Sequence, residues 1–219
     1  MYRYKRLFVG LDLTEKDASQ IAYSSLISRM ARSEEVIFCH VKKELDLPLE
    51  LKEDFPELNG ESQEDLQRRL LNEVDETFAG DDRTKVRCEV LEGSILHEML
   101  RFIKDLDVDL TIVGQQSETD TTSKIAEKLT RKAPCSVLIL PVHSRAEISK
   151  ILVPVEFSGT CAQAVETAVA FALAAGLQEI TCAHIFKLPQ GYYKTGKSKE
   201  QFQEIMEKNA RKAFAEFIK

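Results

Sequence analysis

The sequence predicts an α/β fold: a doubly wound, mostly parallel five-stranded sheet over residues 1–142, a linker at 143–149 and a partial second copy over 150–219. Three observations predict it. Short apolar runs alternate with stretches of helical period, the pattern of strand–helix–strand units that share one parallel sheet. "RLFVGLDLT", Arg6 to Thr14, lies over "KILVPVEFS", Lys150 to Ser158, when 144 is added to each number. At the same offset His40-Val41, closing "EEVIFCHV", falls on His184-Ile185, closing "QEITCAHI".

The elements follow in order. "RLFVGL" is a short apolar strand ended by an acid, Asp12, and Thr14-Glu15-Lys16-Asp17 has the form of a cap that starts a helix. "EEVIFCHV" is the second strand. Glu44 to Glu64, with Pro48, Pro56 and Gly60, is a long acidic excursion over the carboxyl end of the sheet, or a lid over a cleft beside Asp12 and Val41. Ser62 to Phe78 places Leu66, Leu70 and Val74 on one helical face. "TKVRCEVLEG" alternates Val86, Cys88 and Val90 with charge, as a strand near an edge does. Gly93 turns the chain into a helix whose apolar face is Ile95, Met99, Phe102 and Ile103. "DLTIVG" is the fourth strand, Lys124 to Lys132 a helix, and "CSVLILP" a fifth strand, apolar throughout and so read as central.

The second copy repeats strand, helix and strand, with Thr160-Cys161-Ala162-Gln163 as the helix start. The loop "KLPQGYYKTGKS" follows, then a helix from Ser198 to Ile218 that opens on a Ser198-Lys199-Glu200-Gln201 box. Two strands and two helices are a poor independent core. The copy therefore reads as a domain cut short, or as a piece completed by the first domain or by another chain.

Composition narrows the function classes. With 43% hydrophobic and 30% charged residues the chain is that of a folded soluble protein. A net charge of −6 argues against a protein that works by gripping nucleic acid. No run approaches the roughly 20 apolar residues of a membrane helix, and the N-terminus has no leader pattern, so a cytoplasmic protein is expected. Five widely spaced cysteines without a CxxC pair read as reduced thiols, not as a metal site. No motif of a P-loop, a nucleophile elbow, a dinucleotide fingerprint or a zinc protease occurs, so no catalytic residue is assigned. His40 and His184 sit at matching strand ends with no partner at short spacing and read as structural.

Taken together, "RLFVGLDLT" and "KILVPVEFS", "FCHV", "VLEGSILHEML" and "LTIVG…AEKLTRKAPCSVLILP" resemble the universal stress protein family in its tandem two-domain form. The resemblance implies a flavodoxin- or Rossmann-like sheet of the adenine-nucleotide-hydrolase type in a stress-response protein. It also implies a homodimer, or pairing between domains, through the last strand, with no nucleic acid or membrane partner. Some members bind ATP with an acid after the first strand, a Val ending the second, and a loop of spaced glycines closing in Gly-Ser or Gly-Thr. Carried over, Asp12 is the acid near ribose and adenine, Val41 the backbone contact to adenine, and Gly114 the first glycine. Ser117 stands for the second glycine and Ser123-Lys124 for Gly-Ser; in the second copy Glu156 and Ile185 take the places of Asp12 and Val41.

Glycines in a phosphate loop permit positive φ and let backbone N–H groups approach an anion without a Cβ between. Serine restores a hydrogen bond but not that approach, and Glu118 and Asp120 add like charge. Thr121, Thr122 and Ser123 are read as capping a helix that begins at Lys124, with a smaller anion as their alternative. The expectation is a stress-responsive binding or scaffold protein with no cofactor in its first domain, ATP with Mg being confined to a complete second domain. The alternative is a nucleotide-switched or slowly hydrolysing protein whose site lies mainly in that second domain. Tyr192-Tyr193 between Gly191 and Lys194 read as a surface loop, or as a base-stacking pair.

Overall fold

The computed structural model describes residues 4–43, 48, 54–55, 60–115 and 121–218, the side chains of 121–123 excepted. The excursion proposed as a lid falls mostly outside them. The chain divides into two compact units, one ending at Glu147 and one beginning at Ile148.

The first unit runs β1 (Arg6–Leu11), α1 (Asp17–Ala31), β2 (Glu35–Lys42), α2 (Gln63–Thr77), β3 (Lys85–Glu92), α3 (Ile95–Asp105), β4 (Leu110–Gln115), α4 (Thr121–Lys132) and β5 (Ser136–Pro141). All strands are parallel, in the order β3-β2-β1-β4-β5. The chain thus moves outward from β1 on one side, then returns to build on its other side. Sheets of this kind open a crevice where the direction reverses, outside the carboxyl ends of the strands. Here that crevice lies between β1 and β4.

The central strand carries the driest residues: Leu7, Phe8 and Val9 are all 0% exposed. Helices cover both faces with apolar stripes, Leu66, Leu70 and Val74 on α2, Met99 and Ile103 on α3, Ala126 and Leu129 on α4. α1 departs from this pattern, for its buried face includes Asp17, Gln20, Ser24, Ser25 and Ser28. The Ser24 and Ser25 hydroxyls donate back to the Ile21 carbonyl, at 2.7 and 2.9 Å, so these small polar groups are satisfied within the helix.

Several expectations are corrected. β5 is an edge strand of the described sheet, not a central one. Its apolar composition arises from packing above it, where Val137 and Ile139 lie against the cluster formed with α3 and α4. The cap expected at Thr14 does not form: α1 starts at Asp17 after Lys16, with no side-chain cap. α4 starts at Thr121, so Thr121, Thr122 and Ser123 form its first turn and do not cap a helix at Lys124. The edge position of β3 and the helix faces read from α2 and α3 stand as expected.

The second unit holds β6 (Leu152–Pro154), α5 (Gly159–Ala175), β7 (Thr181–Ala183), a 3-10 turn at Tyr192–Thr195 and α6 (Lys199–Phe217). α5 is capped by Ser158, which accepts from the Cys161 N–H, and not by Thr160, because the helix begins earlier than its sequence pattern suggests. The box at Ser198 does form. β6 and β7 are parallel, and the pairs Leu152↔Thr181, Val153↔Cys182 and Pro154↔Ala183 are Phe8↔Ile37, Val9↔Phe38 and Gly10↔Cys39 shifted by 144. The backbone repeats too: φ is 57° at Leu13 and 65° at Phe157, and 53° at Arg32 and 71° at Gly176. Each histidine Nδ1 meets the carbonyl at the end of its first strand, His40 with Leu11 at 3.0 Å and His184 with Val155 at 2.8 Å. The core is small, with Val153, Val155 and Ala168 buried and Phe157 and Phe217 against them.

Two changes test this packing. Ile103→Ala empties a fully buried site under α3 and is expected to lower stability by roughly 2–5 kcal/mol in chemical denaturation. Gly176→Ala forces a Cβ into a left-handed position at the end of α5 and is expected to cost about 1 kcal/mol.

Candidate functional site

The crevice between β1 and β4 is shaped by the connection that follows β1. Leu13 is left-handed, φ 57°, a conformation a non-glycine residue holds only when its surroundings compensate. The compensation is Asp17, in the first turn of α1. Its carboxyl accepts from the Leu13 N–H at 2.7 Å and the Thr14 N–H at 3.4 Å. Thr14 in turn donates from its hydroxyl to Asp12 at 2.7 Å, and Gln20, one turn into α1, donates from Nε2 to Asp17 at 3.0 Å.

Asp17 is 0% exposed. Burial foremost, then the negative charge of Asp12, pushes its pKa up from 3.8 to about 8. At neutral pH it therefore carries a proton and hydrogen-bonds to Asp12. Burial also lowers the pKa of His40 and raises that of Glu73. The His40 ring is tied to the Leu11 carbonyl, so it is neutral and structural.

These elements enclose a cleft of about 130 Å³. One wall is apolar, from Leu11, Val41, Ile95, Met99, Val113 and Leu140; the other carries Asp12, Lys16, Ser19, Gln20 and Gln115. An engineered cavity of about 150 Å³ holds one benzene ring, so this space suits a single ring and leaves the rest of a ligand at the mouth.

Gly114 lies at the floor. A Cβ there would fall 2.7 Å from Gln20 Nε2 and 3.0 Å from its amide carbon. Its lack of a side chain thus admits the Gln20 amide, which approaches from α1. Gln20 is 6% exposed, and its Oε1 is buried without a hydrogen-bond partner.

Of the residues picked out in the sequence, Asp12, Val41 and Gly114 come together in this cleft. Lys124 is exposed on α4 and does not line it. Ser117 and the Ser123 side chain lie outside the described residues. Glu156 accepts from the Ser158 hydroxyl at 3.1 Å, the counterpart of Asp12 with Thr14. Ile185 is 89% exposed where Val41 is 7%. β7 stops at Ala183, and among the described residues of the second unit no strand or helix stands where β3 and α3 cover Val41. Tyr192 packs on Phe202 at 5.9 Å while Tyr193 stays exposed. Among the described residues no group of three or more His, Cys, Asp or Glu is placed to hold a metal ion, and no helix is long and apolar enough to cross a membrane.

Sequence reasoning missed Asp17 and Gln20. Their signal was present: Asp17, Gln20, Ser24 and Ser28 recur at helical spacing, a polar stripe on a helix otherwise poor in charge.

The sequence model of the universal stress protein family matches residues 3–141. A comparison with curated proteins returns no match. Among solved structures, a universal stress protein from Archaeoglobus fulgidus is 14% identical with a TM-score of 0.61, over 95% of this chain and 74% of that one. A hypothetical protein solved as a test case of structural genomics is 22% identical with a TM-score of 0.52, over 64% of this chain and 97% of its own. A family protein from Arabidopsis thaliana, solved with AMP bound, is 16% identical with a TM-score of 0.43, over 64% of this chain and 92% of its own. At these identities the first two likenesses show the fold.

The buried acid pair has a pH signature. Native Asp17 keeps its proton up to about pH 8, while the unfolded side chain loses it near 3.8. Between those values the native state binds more protons, so this group's contribution to stability falls as pH rises. Asp17→Asn keeps an oxygen for the Leu13 N–H and supplies a permanent N–H toward Asp12. Melting temperatures of variant and wild type are expected to agree near pH 4 and to separate by at least roughly 2–4 °C at pH 9, the variant being higher.

Proposed function

The chain belongs to the universal stress protein family, and on that premise we propose that it is a stress-response binding protein whose first unit keeps a ring-sized cleft but does not hold ATP. The observation that carries this is Gln20 against Gly114. Phosphate-binding strand–helix turns work because backbone N–H groups stand open to the anion. Here the glycine's bare face is taken by the Gln20 amide, with Nε2 where a Cβ would clash. The apolar wall, with Val41 and Met99, remains suited to a flat ring. The carboxyls of Asp12 and Asp17 on the opposite side disfavour a polyanion.

Association through β5 belongs to the same proposal. The strand has one free edge in its sheet and carries Val137, Leu138, Ile139 and Leu140 in a row. Such an edge is a template for pairing, with a second copy or with the other domain.

A second reading places a nucleotide in the second unit, and one observation favours it. Ala164 and Cys161 stand at the places of Gln20 and Asp17, so no amide fills that position.

ATP with Mg at 1 mM separates the readings. A ligand at a hundredfold excess over its Kd adds about 2.7 kcal/mol, a shift of several degrees. The protein is expected to melt within about 1 °C of its value without nucleotide. A larger shift that disappears in Asp12→Ala overturns the first reading, and one that disappears in Glu156→Ala establishes the second.

A further inference from the structure

Gln20 is a polar side chain that neither the fold nor the loss of a phosphate site explains. It is held by the buried Asp17 through Nε2 at 3.0 Å, it lines the cleft, and its Oε1 is left buried with no partner. An unpaired buried acceptor costs about 1–3 kcal/mol unless something donates to it. At the matching place in the second unit stands Ala164, which meets the packing need of the helix without that cost.

The position of this oxygen selects what donates to it. It sits beside Gly114, where β4 leaves for the N-terminus of α4, the end of such a crevice at which a phosphate is normally received. A phosphate ester offers only acceptor oxygens to a neighbouring acceptor and adds charge beside Asp12. A free hydroxyl offers a donor. The other end of the cleft, with Leu11, Val41 and Met99, has room for one flat ring. We propose that the cleft takes an uncharged purine nucleoside, with the ring against the apolar wall and the 5′-hydroxyl donating to Gln20 Oε1. This rests on the reading that the first unit does not hold ATP, and it adds the ligand class and the residue that sets it.

Calorimetric titration of the full chain with adenosine, 5′-deoxyadenosine, AMP and ATP tests it. Adenosine is expected to bind saturably, and AMP and ATP at least tenfold more weakly. Wild type is expected to bind 5′-deoxyadenosine about tenfold more weakly than adenosine, the weight of one hydrogen bond to a buried acceptor. Gln20→Leu, of similar size without the acceptor, is expected to bind both nucleosides alike. The 5′-deoxy ligand queries the contact in the unaltered protein, so the test survives if that variant fails to fold. No adenosine binding at millimolar concentration overturns the proposal. So does equal binding of adenosine and 5′-deoxyadenosine with ATP still silent, which leaves the absence of ATP binding intact. ATP binding tighter than adenosine overturns both.

Discussion

The left-handed turn at Leu13, closed by the buried Asp17 carboxyl, is the constraint on which the site depends. It turns the chain sharply from β1 into α1. By doing so it aims Asp12 into the crevice and brings Gln20, one turn along, against Gly114 on β4. The second unit shows that the turn is a property of the connection and not of the acid. Phe157 is left-handed in the same way, and there the Cys161 Sγ accepts from the Glu156 N–H at 3.2 Å. One backbone frame is stabilised by a carboxyl in one unit and by a sulfur in the other.

The first unit accepts an electrostatic cost that the second does without. A polar face on a helix packed against a central sheet is unfavourable unless each group is paired. Ser24 and Ser25 are paired within α1 itself. Ser33 donates to the Tyr4 carbonyl at 2.7 Å. Asp17 is accommodated by staying neutral and by accepting backbone N–H groups. Glu35 Oε1 has no hydrogen bond but faces the Lys85 ammonium at 3.2 Å. The Gln20 oxygen has neither kind of partner, and it is the one that lies on the cleft.

Much of the fold was legible because it rests on local period and on the offset of 144, both of which survive in the sequence regardless of what packs above each strand. The place of β5 was not legible. A run such as Val137 to Leu140 records burial, but it does not record whether a neighbouring strand or an overlying helix supplies it, and here helices supply much of it. The cleft was half legible. Asp12, Val41 and Gly114 stand at strand ends, where the order of the sheet alone brings them together. Asp17 and Gln20 were not seen, because polar residues in a first helical turn ordinarily cap it or face water. Their burial depends on a glycine on a distant strand, and no local pattern encodes that meeting.

Gly114 shows why a glycine at the end of a parallel strand is an ambiguous sign. Its missing side chain opens space, and the sequence does not say on which side or to what. A phosphate and a neighbouring side chain both profit from the same absence. In this protein the space belongs to Gln20, and a Cβ at 2.7 Å from its amide nitrogen would displace it. The same glycine that marks a nucleotide loop in sequence is therefore, in the folded unit, the socket of a side chain that excludes a phosphate. What remains of the cleft is an apolar wall facing a single unpaired oxygen, and that pairing favours a neutral donor over an anion.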